Sequence, residues 1–347
     1  MSAPIRLAIA GVGLIGKRHI ASVAQCKDVE LSAIVDPDER VNSFAMELGV
    51  PWFASLADLF AKQKPDGVIL ATPNQVHVEN GLECVEAKCP MLVEKPLATS
   101  ADEAKVLVDA ARDAGVPILV GHHRRHNPLM QKARELIDDN RLGQLRAVHA
   151  NCWLYKPDDY FEVAPWRTAP GAGPISVNLV HDVDLIRYLC GDVISVQAQA
   201  TPSIRGFDNE DVAAAVLRFE NGVIGTITVS DMIVSPWSWE LTARENPAYP
   251  PTTQSCYLLG GTHGSLSLPD LTLWENNGER SWWQPISATT LPLNASDPLV
   301  NQIEQFVAVI NGREAPLVSG EEGLKTLRVI ESIQSAARSG ETIHLKY

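Results

Sequence analysis

The chain has 347 residues, 45% hydrophobic and 20% charged, with a formal net charge of −13. That is ordinary globular material, long enough for two domains, and its acidity argues against nucleic acid or an anionic membrane as partner, since both attract basic surfaces. No run of about eighteen apolar residues suggests a membrane span, and the opening Met1-Ser2-Ala3-Pro4 lacks the look of a signal peptide, so a cytoplasmic protein is expected.

Ile5 to Ala10 reads as a buried parallel strand, followed by Gly11-Val12-Gly13-Leu14-Ile15-Gly16, a helical stretch from Lys17 to about Cys26, and a second strand from Leu31 to Val35 that ends at Asp36. Each part has a job in holding a dinucleotide. Gly11 permits the tight turn, Gly13 lets backbone approach a pyrophosphate, and Gly16 allows close helix–strand packing. The helix N-terminus offers unpaired N–H groups and the positive end of its dipole. Asp36, twenty residues after Gly16, suits the ribose hydroxyls and repels a 2′-phosphate. NAD is therefore expected over NADP, with Arg40 able to soften that preference.

The alternation continues with helices at Leu56–Lys62, Val78–Ala87 and Ala101–Ala114, the last closed by Gly115. Between them lie strands at Gly67–Ala71, Met91–Val93 and Ile118–Val120. Repeated strand–helix units imply a doubly wound parallel sheet, with ligands at the carboxyl ends of its strands. Those ends carry Gly11, Asp36, Ala71-Thr72-Pro73-Asn74, Glu94-Lys95-Pro96 and Gly121-His122-His123-Arg124-Arg125. The candidate cofactor site comprises Gly11, Gly13, Leu14, Ile15, Gly16, Asp36, Arg40, Ala71, Thr72, Pro73, Asn74, His77, Glu94, Lys95 and His122. His122, His123 and His126 invite a metal reading, but adjacent side chains diverge and no acidic partner shares their spacing, so no metal is expected. The six cysteines contain no CxxC pair and read as buried free thiols in a reducing compartment. Asn294-Ala295-Ser296 matches a glycosylation acceptor and is read as a chance match.

From about Gly143 the pattern changes to period-two segments at Leu145–Trp153, Val193–Ala200, Ala213–Phe219, Val223–Val229, Ser265–Leu268 and Leu271–Trp274. Asn221-Gly222 is a hairpin signal between two of them. These predict a large, mostly antiparallel sheet in a second α/β domain, with the division falling at 1–122 and 123–347. A helix is predicted from about Ile175 to Cys190, placing Asn178, His181 and Leu185 on one face with Asp182 to one side. Amphipathic helices follow at Asn301–Asn311 and Glu322–Arg338. The Pro- and Trp-rich stretch 235–254 reads as a lid, or as an arm that docks on a neighbouring subunit, with the arm favoured.

Several motifs together resemble the Gfo/Idh/MocA family of oxidoreductases: GVGLIG, ATPNQVH at 71–77, EKP at 94–96, GHHRRHNP at 121–128, GAGPISVNLVHDVDL at 171–185 and GGTHGSLSLP at 260–269. The resemblance implies a Rossmann domain and a C-terminal α/β domain whose sheet makes oligomer contacts, giving a homodimer or homotetramer. It also implies an active site drawing residues from both domains, with Lys95 beside the nicotinamide and His181 as acid/base. The expected reaction is hydride transfer between NAD and a hydroxyl-bearing carbon of a polyol, inositol, sugar or sugar acid. Histidine suits proton transfer near neutral pH, and a lysine ammonium can polarise the reacting oxygen. Asn178, Asp182, Arg167, Trp166, Tyr155 and Arg125 are the candidate substrate contacts. The chain departs from the family where an aspartate is common four residues before the histidine; that position is Val177. A dihydrodiol-type dehydrogenase, an NAD-using glycosidase and a non-catalytic NAD-binding regulator are the alternatives.

Overall fold

The computed structural model describes residues 3–293 and 296–347, so Asn294-Ala295 of the acceptor-like triplet lie outside the described residues. Two compact units emerge, one of residues 1–126 with 296–327 and the other of 127–295 with 328–347. The helix Pro298–Ile310 therefore groups with the first sheet, where a division at 122/123 would put it with the second.

In the first unit, strands β1 (Ile5–Ala10), β2 (Val29–Val35), β3 (Trp52–Phe53), β4 (Gly67–Leu70), β5 (Met91–Val93) and β6 (Ile118–Val120) form one parallel sheet in the order β3-β2-β1-β4-β5-β6. Helices α1 (Leu14–Val23), α2 (Val41–Glu47), α3 (Leu56–Lys62), α4 (His77–Glu86) and α5 (Ala101–Ala114) connect them. Successive residues of a strand point to opposite faces. Accordingly, Ala8 and Ala10 join one apolar core with Leu59, Cys84 and Leu107, while Leu7 and Ile9 join another with Ile20, Val23 and Phe306. The sheet is covered on both sides, as near-continuous apolar strands require.

The glycine turn has no slack. A Cβ on Gly16 would lie 1.9 Å from the Gly11 carbonyl oxygen, and Gly11 itself has φ +86°. Only glycine at both positions lets α1 start so close to β1. The helix begins at Leu14 and ends at Val23, earlier at both ends than the apolar pattern suggested.

The second unit holds a nine-stranded sheet built from β7 (Leu145–Trp153), β8 (Val193–Pro202), β9 (Glu210–Phe219), β10 (Ile224–Ser230), β11 (Tyr257–Gly261), β12 (Gly264–Leu268), β13 (Thr272–Asn276), β14 (Ile286–Thr290) and β15 (Ile343–His344). Their order is β14-β13-β12-β11-β7-β10-β9-β8-β15. Neighbours are antiparallel except β7 and β10, which run parallel. Asn221-Gly222 joins β9 to β10, with Gly222 at φ +85°. The unit also contains helices α6 (Pro128–Asp138), α7 (Asp158–Glu162), α8 (Pro174–Val177), α9 (Leu179–Cys190) and α10 (Trp239–Thr242). Eleven of the twelve α9 residues are buried, Tyr188 being the exception, so α9 lies within the core. No helix among the described residues is long and apolar enough to cross a membrane.

Two expectations need correction. The helix foreseen from Ile175 to Cys190 is two helices that meet at Asn178, whose φ −102° and ψ −55° fall outside regular helix. The 235–254 stretch does not begin as an arm. Trp239 is only 1% exposed and stacks on Tyr257 with ring centroids 5.5 Å apart, because Ser238 caps α10 and turns the indole into the core of its own unit. Truncation there removes a large buried surface. Trp239→Ala is expected to cost about 3–5 kcal/mol, read as a lower urea midpoint in equilibrium unfolding.

Candidate active site

In the first unit the strand exits gather the cofactor candidates. The N-terminus of α1 has no side-chain cap and no acidic residue in its first turn. Its free N–H groups are thus left for an anion. A Cβ on Gly13 would meet nothing within 4 Å, and Leu14 is 88% exposed, so this turn presents an open surface on which a nucleotide has room to lie. Asp36 is fixed at the end of β2. Its carboxylate accepts the Val12 N–H at 2.8 Å and the Asp38 N–H at 3.0 Å, and each oxygen keeps a lone pair for a ribose hydroxyl. Arg40 is exposed and held in a fork by both carboxylate oxygens of Asp38.

After β4, Ala71 is buried and its N–H donates to the Ala10 carbonyl, while Pro73 and Asn74 are exposed. Thr72 donates its hydroxyl to Asn80, which ties this exit to α4. His77 is only 1% exposed and sets its ring nitrogens against the carbonyls of Pro96 and Thr72, each at 2.9 Å. It joins two strand-exit loops and presents no free nitrogen to a ligand. The two carbonyls favour a protonated ring, but burial prevails and holds its pKa below the usual value.

Lys95 is anchored by its neighbour. The buried Glu94 accepts the Lys95 N–H with Oε2 at 3.1 Å, and its Oε1 lies 2.7 Å from His19 Nε2 on α1. Burial alone would raise the Glu94 pKa, yet the hydrogen bond and charge of His19, with His123 and Lys95, bring it down to about 2. A Cβ on Gly121 would lie 2.9 Å from this carboxylate, so glycine leaves the space Glu94 occupies. Burial and the adjacent Arg124 push His123 down to about 3, which keeps it neutral beside the pair. His122 and Arg124 are buried, and Arg125 is buried in an ion pair with Glu322 at 3.0 Å. Nothing in the sequence pattern singled out His19 except a polar side chain on the apolar stripe of α1, with Gly16, Ile20 and Val23.

In the second unit, His181 is the third residue of α9 and is buried. Its N–H donates to the Asn178 carbonyl at 3.1 Å, which starts the helix. Asp182 is fully buried and accepts the hydroxyl of Tyr257. Arg167 donates to the Tyr160 carbonyl at 2.6 Å and lies 4.0 Å over the Tyr160 ring, with the half-exposed Trp166 beside it. Tyr155 is 47% exposed, 5.6 Å from the Arg205 guanidinium.

The sequence reading missed the buried polar cluster next to these residues. Lys156 Nζ donates to Asn178 Oδ1 at 2.8 Å and to Asp231 at 3.4 Å. The other Asp231 oxygen receives Arg205 at 3.2 Å. Burial lowers the Lys156 pKa and Asp231 opposes it. Glu210 accepts the Ile175 N–H at 2.9 Å at the start of α8, and burial raises its pKa.

This fold and these strand exits define a dinucleotide-dependent oxidoreductase, and comparison with known proteins agrees. Residues 5–122 match the model of the oxidoreductase family with an NAD-binding Rossmann fold, and residues 130–267 match the GFO/IDH/MocA C-terminal domain. The chain belongs to the Gfo/Idh/MocA oxidoreductase family. It is 24% identical to a 1,5-anhydro-D-fructose reductase of Ensifer adhaerens, with 98% of each chain covered. It is 26% identical to an inositol 2-dehydrogenase of Saccharopolyspora erythraea, covering 97% of this chain and 94% of that one. Among solved structures it is similar to the WlbA dehydrogenase of Bordetella pertussis in complex with NADH and UDP-GlcNAcA, with 27% identity, 99% of both chains covered and a TM-score of 0.80.

The residues present fit NAD: an uncapped helix start, an open Gly13, and a carboxylate at Asp36 with acceptor capacity left. Gly13→Val is expected to fill the open face of the turn and weaken NAD binding at least tenfold, measured by quenching of intrinsic fluorescence. The Glu94 carboxylate also makes stability depend on pH. Its folded pKa lies below the ordinary 4.5, so its contribution is fully present above 4.5 and is withdrawn as the pH falls towards about 2. In acid titrations of stability, Glu94→Gln is expected to be less stable than the parent at neutral pH, and the gap should narrow through that window.

Proposed function

We propose that this chain is an NAD-preferring dehydrogenase that moves a hydride between the nicotinamide and a hydroxyl-bearing carbon of a polyol, inositol, sugar or sugar acid. The observation that carries the reading is the single strand-exit edge bearing an uncapped glycine turn, a backbone-held Asp36 and a Lys95 clamped by Glu94. Bound there, the nicotinamide would supply the hydride acceptor or donor. Lys95 polarises the reacting oxygen, and His181 takes the hydroxyl proton in oxidation and returns it in reduction. With the apolar Val177 four residues before it, His181 works without an acidic neighbour at that position. Named relatives acting on anhydrofructose and inositol support this substrate class. NAD is favoured because Asp36 would face a 2′-phosphate with negative charge while Arg40 is occupied by Asp38. Six buried free thiols suit a reducing cytoplasm.

The outer face of the second sheet supports self-association. Ile224, Leu258 and Trp274 are each 40–53% exposed and line a shallow groove of about 480 Å³ with His149 and Thr226. A homodimer or homotetramer formed through this face would cover it. Leu258→Lys is expected to shift the protein to a smaller species in light scattering, with unchanged far-UV circular dichroism.

The reaction itself is tested by following reduced nicotinamide in absorbance, with NAD and NADP supplied separately against a panel of inositols, aldoses, sugar acids and cyclic diols. Turnover of one polyol with NAD, much faster than with NADP, is expected. Lys95→Ala is expected to keep NAD binding and to lose about 10²–10⁴-fold in kcat. Unchanged turnover would remove Lys95 from its assigned role.

A further inference from the structure

Lys156 has no counterpart in the sequence motifs and no place in the chemistry above, yet it is among the most firmly held side chains of the second unit. Its N–H donates to the Asp231 carbonyl at 2.9 Å, and its own carbonyl accepts Arg205 Nη2 at 2.6 Å. The side chain is 8% exposed and lies 5.1 Å over the Tyr160 ring. Its ammonium therefore has a fixed position, 2.8 Å from Asn178 Oδ1. Asn178 stands at the α8–α9 junction, and its carbonyl receives the His181 N–H.

An ammonium has only donors, so it selects which end of the carboxamide faces it. Oδ1 accepts from Lys156, so the Nδ2 amide is the end turned away from the ammonium. We infer that Lys156 is a positioning residue that commits Asn178 to donate a hydrogen bond to an acceptor oxygen of the substrate, a carboxylate or a carbonyl. This rests on the proposed dehydrogenase reading and on Asn178 as a substrate contact. Val177 offers no hydrogen-bonding group, and the carboxamide one residue later supplies the donor. Asp231 does not depend on Lys156 alone, because Arg205 also pairs with it at 3.2 Å. An apolar side chain at 156 therefore leaves no carboxylate without a cation.

The test is steady-state kinetics on purified Lys156→Met and Lys156→Gln, beside the parent, with NAD and a sugar acid, with NAD and its matching neutral polyol, and with NADH and the corresponding carbonyl compound. Lys156→Met is expected to lower kcat/KM by up to about 100-fold, chiefly through KM, with the Kd for NAD unchanged. Lys156→Gln keeps a neutral donor towards Asn178 and should recover part of that loss. If the acceptor oxygen is a carboxylate, the penalty falls on the acid and spares the neutral polyol. If it is the oxygen that becomes the carbonyl, the penalty falls on acid and neutral polyol alike and, because a variant cannot change the overall equilibrium, equally on kcat/KM in both directions. Turnover within twofold of the parent for all three reactions overturns the inference, as does a loss of NAD affinity in parallel with activity. Should Lys156→Met fail to fold, Asn178→Asp keeps the shape, pairs with the ammonium and removes the donor. It should show the same substrate-dependent loss, and parental kinetics would overturn the inference. A parent inactive towards every compound would instead sink the dehydrogenase reading itself, which separates the two failures.

Discussion

The approach of α1 to β1 is the constraint on which the cofactor half depends. The Gly11 carbonyl sits where a Cβ of Gly16 would be, so the helix can begin directly over the strand end. That contact aims the uncapped N–H groups of the first turn along the carboxyl edge of the sheet, where Asp36 and Lys95 also emerge. A parallel sheet repeats the same polarity at each strand, so every exit adds a residue to one edge. The glycine contact thus converts a repetitive scaffold into a binding edge.

Both units keep a buried carboxylate held at both oxygens, and they use it differently. Glu94 divides its oxygens between His19 and the Lys95 backbone, so a buried side chain inside the unit fixes the start of the loop after β5. Asp231 divides its oxygens between Lys156 and Arg205, and the held ammonium then sets the Asn178 carboxamide. Taking such charges out of water is costly unless every group is paired. In each case the geometry that meets this cost also removes rotational freedom from a residue at the candidate site. Asp182 shows a contrasting setting: it is fully buried and accepts the hydroxyl of Tyr257, deep in the core.

Much was legible from the chain in order. The alternation of apolar runs with helical stretches located β1, β4, β5 and β6, because strands buried on both faces leave an unbroken apolar signal. The period-two segments located β7, β9 and β10 for the complementary reason, one face being buried and the other open. Short or exposed elements escaped: β3 has two residues at the sheet edge and β14 is largely exposed, so neither carries a strong pattern. The α8–α9 break escaped because Asn178 looks compatible with a continuous helix, and the turn there is decided by contacts from elsewhere in the unit.

The linear order of residues determined the family and its NAD-binding Rossmann domain, and it put forward Asp36 by its spacing and Lys95 and His181 through the resemblance to that family. Only the tertiary structure decided which polar side chains are committed to one another. His19 and Glu94 are 75 residues apart, as are Lys156 and Asp231, and Asp182 and Tyr257. No local period encodes such a pairing. It exists because burying a charge or hydroxyl demands a partner, and the partner is whichever residue the packed sheet brings within reach.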